Sequence, residues 1–240
     1  GNFIMSTLRS SAIPVTDPSA GLRITEIFYS LQGEANTLGL PTVFIRLTGC
    51  PLRCTYCDTT YSFEGGERQS LDEIIQTTLD FKTPYVCVTG GEPLAQPNAI
   101  PLMQKLADLG CEVSLETSGA LDVSKVDPRI SKVLDLKTPT SGEEKRNLMS
   151  NLEHLTQHDQ IKFVICNRED YEWSKLQVEQ YKLNEKVSTV WFSPAFAIEK
   201  GAVRIPQLAR DLAQWILEDH IPVRFQLQLH KLLWNDETGR

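Results

Sequence analysis

No stretch of the 240-residue chain approaches the roughly 20 consecutive apolar residues that a membrane-crossing helix needs, and the N-terminus lacks the basic-then-apolar layout of a secretion signal. Net positive charge is also missing. Acidic residues number 31 against 24 basic ones, a formal balance of −7, so the overall field favours neither nucleic acid nor an anionic membrane surface. Repeats, low-complexity tracts and composition breaks are absent. Hydrophobic residues at 41% and charged residues at 23% exclude disorder, a collagen-like repeat or a coiled coil as descriptions of the whole. One domain is expected: a remnant and entry segment over 1–22, a core domain over 23–233 and a polar C-terminal tail over 234–240. Met5 reads as an initiator, so residues 1–4 are set aside. The cytoplasm is the expected compartment.

What the chain does have is six cysteines, unevenly placed. A reducing compartment argues against a disulfide framework. Cys87, Cys111 and Cys166 sit among β-branched and apolar neighbours and read as buried core thiols. Cys50, Cys54 and Cys57 fall within eight residues of one loop-like segment.

β-Branched apolar runs near 23–29, 41–48, 84–89, 111–116, 131–136, 160–166, 187–193 and 222–228 predict strands. Helical patterns lie at 71–80, 97–109, 143–157, 168–182 and 206–219; Ser70 and Glu73 are spaced as a capping box, and the second pattern stops at Gly110. The alternation predicts an α/β fold with a largely parallel sheet. Segment 117–130 is too short and too punctuated for a crossover helix, so the expected architecture is an incomplete, TIM-like βα barrel with missing or shortened outer helices. The unusual polar and Gly-rich strings follow strand ends. In parallel sheets those ends share one rim, where active sites are built.

The strongest chemical signal is Cys50-Pro-Leu-Arg-Cys54-Thr-Tyr-Cys57, spaced C-x3-C-x2-C. Three thiolates on a cuboidal iron–sulfur cluster leave one iron open to a small molecule. A zinc site completed by a distant residue is the other reading. Thr89-Gly-Gly-Glu-Pro93 combines a turn with two residues whose missing side chains let backbone approach a ligand; on its own it reads as an ordinary structural turn.

Together these motifs resemble the radical S-adenosylmethionine enzymes. The string Tyr29-Ser-Leu-Gln-Gly-Glu34, the run Pro41 to Cys50, Cys57-Asp-Thr59, Glu116-Thr-Ser-Gly119, Asp135-Leu-Lys137 and Gln228-Leu-His-Lys231 are similar to one subfamily, the 7-carboxy-7-deazaguanine synthases of queuosine biosynthesis. The resemblance implies that Cys50, Cys54 and Cys57 hold a 4Fe-4S cluster. It implies a S-adenosylmethionine site made by Tyr56, Cys57 and Asp58, by Gly91, Glu92 and Ser118, by Asp135, Leu136 and Lys137, and by Ser193, Pro194, Ala195 and Phe196. Thr59 would bind Mg²⁺. Leu31, Gln32, Gly33, Arg46 and Thr89 would contact a pterin substrate, 6-carboxy-5,6,7,8-tetrahydropterin, with Glu34, Glu116 and His230 as catalytic polar groups beside it. The implied reaction is a radical ring contraction with loss of ammonia. Implied partners are a flavodoxin- or ferredoxin-like electron donor and a second copy of the chain, without nucleic acid or membrane.

Several of these residues carry a plainer reading as well. Thr59 fits an Asp-Thr turn bonding its own backbone, Arg46 an exposed strand-face residue, Glu116 a partner for Lys137, and His230 an end-of-strand histidine. Two rival functions share the features: a glycyl-radical-enzyme activating enzyme, which has the same Cys loop and Gly-Gly-Glu-Pro motif, and a non-catalytic binding protein whose cysteines staple a loop through a metal.

Overall fold

The computed structural model of the protein describes residues 21–50, 52–53, 59–196, 205–234 and 237–240. Nine strands form one sheet: β1 (Gly21–Leu31), β2 (Pro41–Leu47), β3 (Glu67–Ser70), β4 (Tyr85–Gly90), β5 (Glu112–Thr117), β6 (Ser131–Asp135), β7 (Gln160–Ile165), β8 (Thr189–Pro194) and β9 (Arg224–Phe225). Their spatial order is β3-β1-β2-β4-β5-β6-β7-β8-β9. β1 pairs antiparallel with β2 and β3, and β2 onward is parallel. Among the described residues β3 and β9 are the two edges of the sheet and do not pair with each other, so the barrel is open, as the sequence predicts. The helices are α1 (Leu71–Asp80), α2 (Ala99–Asp108), α3 (Arg168–Tyr181), α4 (Leu183–Lys186), α5 (Gln207–Asp219) and α6 (Leu229–Trp234).

Period-2 alternation decides what each strand shows to either side. Val43, Ile45, Leu47, Val86, Val88, Val113, Leu115, Ile161, Phe163 and Ile165 are buried in the apolar core. Each fully buried aliphatic or Phe side chain contributes roughly 1.5–3 kcal/mol relative to exposure. The alternate positions Phe44, Arg46, Thr89, Glu116, Val133, Asp135, Lys162, Val164 and Ser193 line an internal cavity instead. The barrel is therefore apolar outside its wall and largely polar within.

Local signals fix the helix ends. The capping box at α1 is present: the Ser70 hydroxyl accepts from the Glu73 amide at 3.1 Å, and the Glu73 carboxylate accepts from the Ser70 amide at 3.1 Å. α2 stops before Gly110, which adopts φ +87°, while the Cys111 amide bonds back to the Leu106 carbonyl at 3.1 Å.

The structure departs from the sequence reading in four places. The helix expected over 143–157 is two 3₁₀ turns, Glu144–Arg146 and Met149–His154. Asn147 and Asn151 divert the backbone there. The Asn147 amide bridges the Lys137 N–H and C=O at 2.9 Å each, and Asn151 bonds Val123, Gly119 and Leu121. Both side chains thereby brace loops that follow β5 and β6. The strand expected over 222–228 is two residues long, because the chain turns to form α6, which also takes His230 off a strand end. β3 went unread because Glu-Arg-Gln-Ser carries no apolar alternation. Cys166 is not a core thiol: it is only partly buried and faces the cavity.

Candidate active site

A cavity of about 810 Å³ opens on the barrel interior at the C-terminal strand ends. It brings together Cys50 and Thr59 from the segment after β2, Leu31, Gln32, Glu34, Arg46, Thr89 and Gly91, then Glu116, Ser118, Asp135 and Lys137, and Ser193, Pro194, Ala195, Phe196 and His230. Cys54, Tyr56, Cys57 and Asp58 lie outside the described residues.

Three predicted residues do not line it. Glu92 lies behind the wall, fully buried, and accepts from the Thr117 hydroxyl at 2.8 Å, the Ser118 amide at 2.7 Å and the Ser118 hydroxyl at 3.0 Å. Burial pushes its carboxyl up from the usual range, against the pull of those donors. It fixes the strand end that carries Ser118. Leu136 packs in the core. Gly33 packs against His230: a Cβ there would meet the imidazole Nδ1 and lie 3.0 Å from the His230 amide nitrogen. This close approach, with the Leu229 amide bonded to the Gly33 carbonyl at 3.0 Å and the Ala35 amide to Gln226 Oε1 at 3.0 Å, ties the segment around α6 to the β1–β2 turn across the barrel's open side.

The rim beyond β4 is built from small groups. A Cβ on Gly91 would come within 2.6 Å of the Cys50 Cβ and meet the Gly49 carbonyl, so only glycine allows the cysteine segment to sit on the strand end. Asp135 Oδ1 and Ser193 Oγ are buried on the cavity wall with no hydrogen-bond partner among the described residues. Buried polar atoms are ordinarily paired. Two orphans facing one cavity, beside a glycine cradle and a cysteine, fit a polar ligand with hydroxyl and amino groups such as S-adenosylmethionine.

The opposite side is charged. Arg46 Nε contacts Glu26 at 2.9 Å, with side-chain exposures of only 12% and 16%, so Arg46 is no surface residue. Tyr61 donates to the same Glu26 oxygen at 2.8 Å. Burial alone would lower the Arg46 guanidinium; Tyr61, Glu26 and Glu116 outweigh it and hold it above its usual value. Glu34 pairs with Lys162 Nζ at 3.0 Å and also accepts from Gln228 Nε2. Burial would raise the Glu34 carboxyl, but Lys162, His230 and Gln228 win and hold it below the usual range. Glu116 goes the other way: burial first, then the Glu34 charge, push it up, and Lys162, the Thr89 hydroxyl at 3.0 Å and Arg46 offset this only in part. Lys137 is not its partner; it pairs with Asp135 at 3.0 Å. Thr59 precedes the 3₁₀ turn Thr60–Ser62, and its carbonyl accepts from Ser62.

Sequence reasoning missed Lys162, Phe28, Phe44 and Cys166. Phe28 and Phe44 stack at 5.0 Å and 10° on the cavity wall, their β1–β2 register being the only signal. Lys162 sits in an apolar strand and carries no motif. Burial, the largest influence, raises the Cys166 thiol to about 12, with Asp170 adding to it, so this thiol is protonated and weakly nucleophilic.

Residues 44–174 match the model of the Radical SAM superfamily. The chain is 44% identical over 223 residues to the 7-carboxy-7-deazaguanine synthase of Koribacter versatilis, covering 90% of this chain and 99% of the relative. It is 42% identical over 222 residues to that of Chlorobaculum tepidum, covering 91% and 97%. The crystal structure of QueE from Escherichia coli superposes with a TM-score of 0.70 at 24% identity, over 88% of this chain and 95% of that one, a likeness of fold. No helix among the described residues is long and apolar enough to cross a membrane. These matches favour neither an activating enzyme nor a non-catalytic metal-stapled protein. The chain belongs to the 7-carboxy-7-deazaguanine synthase family of the radical S-adenosylmethionine superfamily.

Proposed function

We propose that the protein converts 6-carboxy-5,6,7,8-tetrahydropterin into 7-carboxy-7-deazaguanine with loss of ammonia, a step of queuosine and 7-deazapurine biosynthesis. One observation supports this reading beyond family membership: a single lining combines Arg46, Glu34 and Glu116 with Cys50, Gly91, Asp135 and Ser193. Substrate and product differ by ammonia alone, so the conversion is redox-neutral overall and needs no external oxidant. When bound, a 4Fe-4S cluster on Cys50, Cys54 and Cys57 together with S-adenosylmethionine supplies the radical chemistry that takes hydrogen from substrate C6.

The chain's own residues bind and orient. Glu26 engages Arg46 through Nε, leaving the two Nη groups to grip the substrate carboxylate in two-point fashion. Glu34 accepts N–H donors from the pyrimidine edge, with Gln32, Thr89 and His230 beside it. Leu31 and the Phe28–Phe44 pair give the ring an apolar wall. Asp135, Lys137 and Ser193 hold the S-adenosylmethionine side. Thr59 would supply one hard oxygen ligand to a Mg²⁺ ion. Holding one C–H bond toward the reacting centre is the larger share of the protein's contribution. A flavodoxin- or ferredoxin-like donor, a homodimer and a cytoplasmic setting complete the reading; they rest on the family resemblance.

The test is an anaerobic assay of the iron- and sulfide-reconstituted protein with reductant, S-adenosylmethionine, Mg²⁺ and 6-carboxy-5,6,7,8-tetrahydropterin, followed by mass spectrometry. Formation of 7-carboxy-7-deazaguanine is expected. Intact substrate with accumulating 5′-deoxyadenosine would contradict the substrate assignment, and neither product from a cluster-loaded protein would contradict the enzymatic one.

A further inference from the structure

Two carboxyl groups, Glu34 and Glu116, face one buried cavity, and the cations around them are unevenly shared. Arg46 is engaged by Glu26 at 2.9 Å, and Lys137 by Asp135 at 3.0 Å. Lys162, on the inward face of β7, is committed to Glu34 at 3.0 Å. Glu34 receives Gln228 as a second donor, whereas the hydrogen bond to Glu116 comes from the neutral hydroxyl of Thr89 at 3.0 Å. Two like charges in a low-dielectric site raise the cost of ionising both, and the donors favour Glu34 as the anion.

We propose that Lys162 is a positioning residue that sets the polarity of this pocket, holding Glu34 as the hydrogen-bond acceptor and leaving Glu116 as the donor, so that a heterocycle binds with its N–H groups toward Glu34 and an acceptor atom toward Glu116. A 2-amino-4-oxo pyrimidine edge has that pattern. The inference deepens the proposed function and rests on it for the identity of the ligand. The titrating groups facing the pair are Asp135 from β6, Lys162 from β7, Arg46 from β2, the buried thiol of Cys87 from β4 and His230 from α6, and the directions agree with the geometry: Lys162 is held well above its usual value, its burial outweighed by Glu34, Asp135 and Glu116.

Infrared spectroscopy of the cluster-loaded protein reads the polarity without substrate. The parent should show a carboxylic-acid C=O stretch at neutral pH that Glu116→Gln removes. Glu34→Gln should remove the same band although Glu116 is still present, because Lys162 then serves Glu116; a Lys162 of purely structural role leaves it unmoved. Lys162→Met should raise the pterin KM about 10-fold or more with a smaller change in kcat, make that KM fall as pH rises, and be largely rescued by Lys162→Arg. If the parent has no band assignable to Glu116, or if Glu34→Gln leaves it intact, the polarity is wrong. An unchanged KM in folded Lys162→Met, or no rescue by a folded Lys162→Arg, also overturns the role. Because Glu34→Gln leaves no buried charge unpaired, it keeps the test open should Lys162→Met fail to fold. Failure of the pterin to bind the parent would count against the proposed function, and the infrared result would still decide the polarity.

Discussion

On the side of the cavity built by the ends of β4, β5, β6 and β8, the wall consists of backbone and short side chains: Gly91, Ser118, Asp135 and Ser193, backed by buried Glu92. Around β1, β2, β7, the Glu116 position of β5 and the residues just before α6 it consists of long charged or amide groups: Glu34, Arg46, Glu116, Lys162 and Gln228, each held by another of the protein's side chains. The first side selects by close approach and by polar atoms left unpaired. The second selects by charge whose desolvation is already compensated. A flexible, polar cofactor suits the first, and a rigid heterocycle with a carboxylate suits the second.

Variants can break this division, and the largest effect is expected where both sides depend on one group. Cys50→Ala should abolish product formation and lower bound iron while leaving the far-ultraviolet circular dichroism unchanged, measurable by iron assay and mass spectrometry. Gly91→Ala should come next. Its Cβ has to displace the Cys50 segment, which it would approach to 2.6 Å, and misplacement of that order costs roughly 100-fold in turnover; activity at saturating S-adenosylmethionine checks this. Arg46→Lys keeps the charge and loses the fork, so the pterin KM should rise about 10-fold in steady-state kinetics. Thr59→Ala should weaken the Mg²⁺ response of the rate by a smaller factor; an unaltered Mg²⁺ titration would remove Thr59 from the metal.

The same two sides differ in how far the sequence reveals them. The small-group side comes from contiguous strings, Thr89-Gly-Gly-Glu-Pro93 and Glu116-Thr-Ser-Gly119 among them, whose composition is unusual in itself. The charged side is assembled from positions 34, 46, 116, 162 and 228, of which four lie in strings that carry the family resemblance and Lys162 lies in none. Lys162 could be found only once β7 was known to turn that position inward, opposite Glu34 128 residues away. Strands and capped helices were legible from period-2 patterns and from Ser70 and Glu73. The 143–157 segment was not, because its helical spacing is overridden by Asn147 and Asn151 reaching loops 10 to 32 residues distant. The fit of α6 against Gly33 is likewise a tertiary contact with no local signal.

The smallest expected effect concerns stability. The Glu116 carboxyl is raised in the folded protein, so its contribution is fully present below the ordinary carboxylate value of about 4.3 and is lost as pH rises through the folded value. Glu34 is lowered and behaves oppositely, with stability present above that value and lost as pH falls through its folded value. Glu116→Gln should therefore flatten the decline of thermal stability as pH rises above this value, and Glu34→Gln, which frees Lys162 for Glu116, should flatten it too while also removing the loss on the acid side. Melting temperatures across pH check both.

The most direct test of the two-sided cavity is to titrate S-adenosylmethionine and the pterin separately into cluster-loaded parent, Gly91→Ala and Arg46→Lys proteins by calorimetry. The account predicts a crossed pattern, with Gly91→Ala weakening S-adenosylmethionine and sparing the pterin, and Arg46→Lys doing the reverse. Equal loss of both ligands in both variants would contradict it.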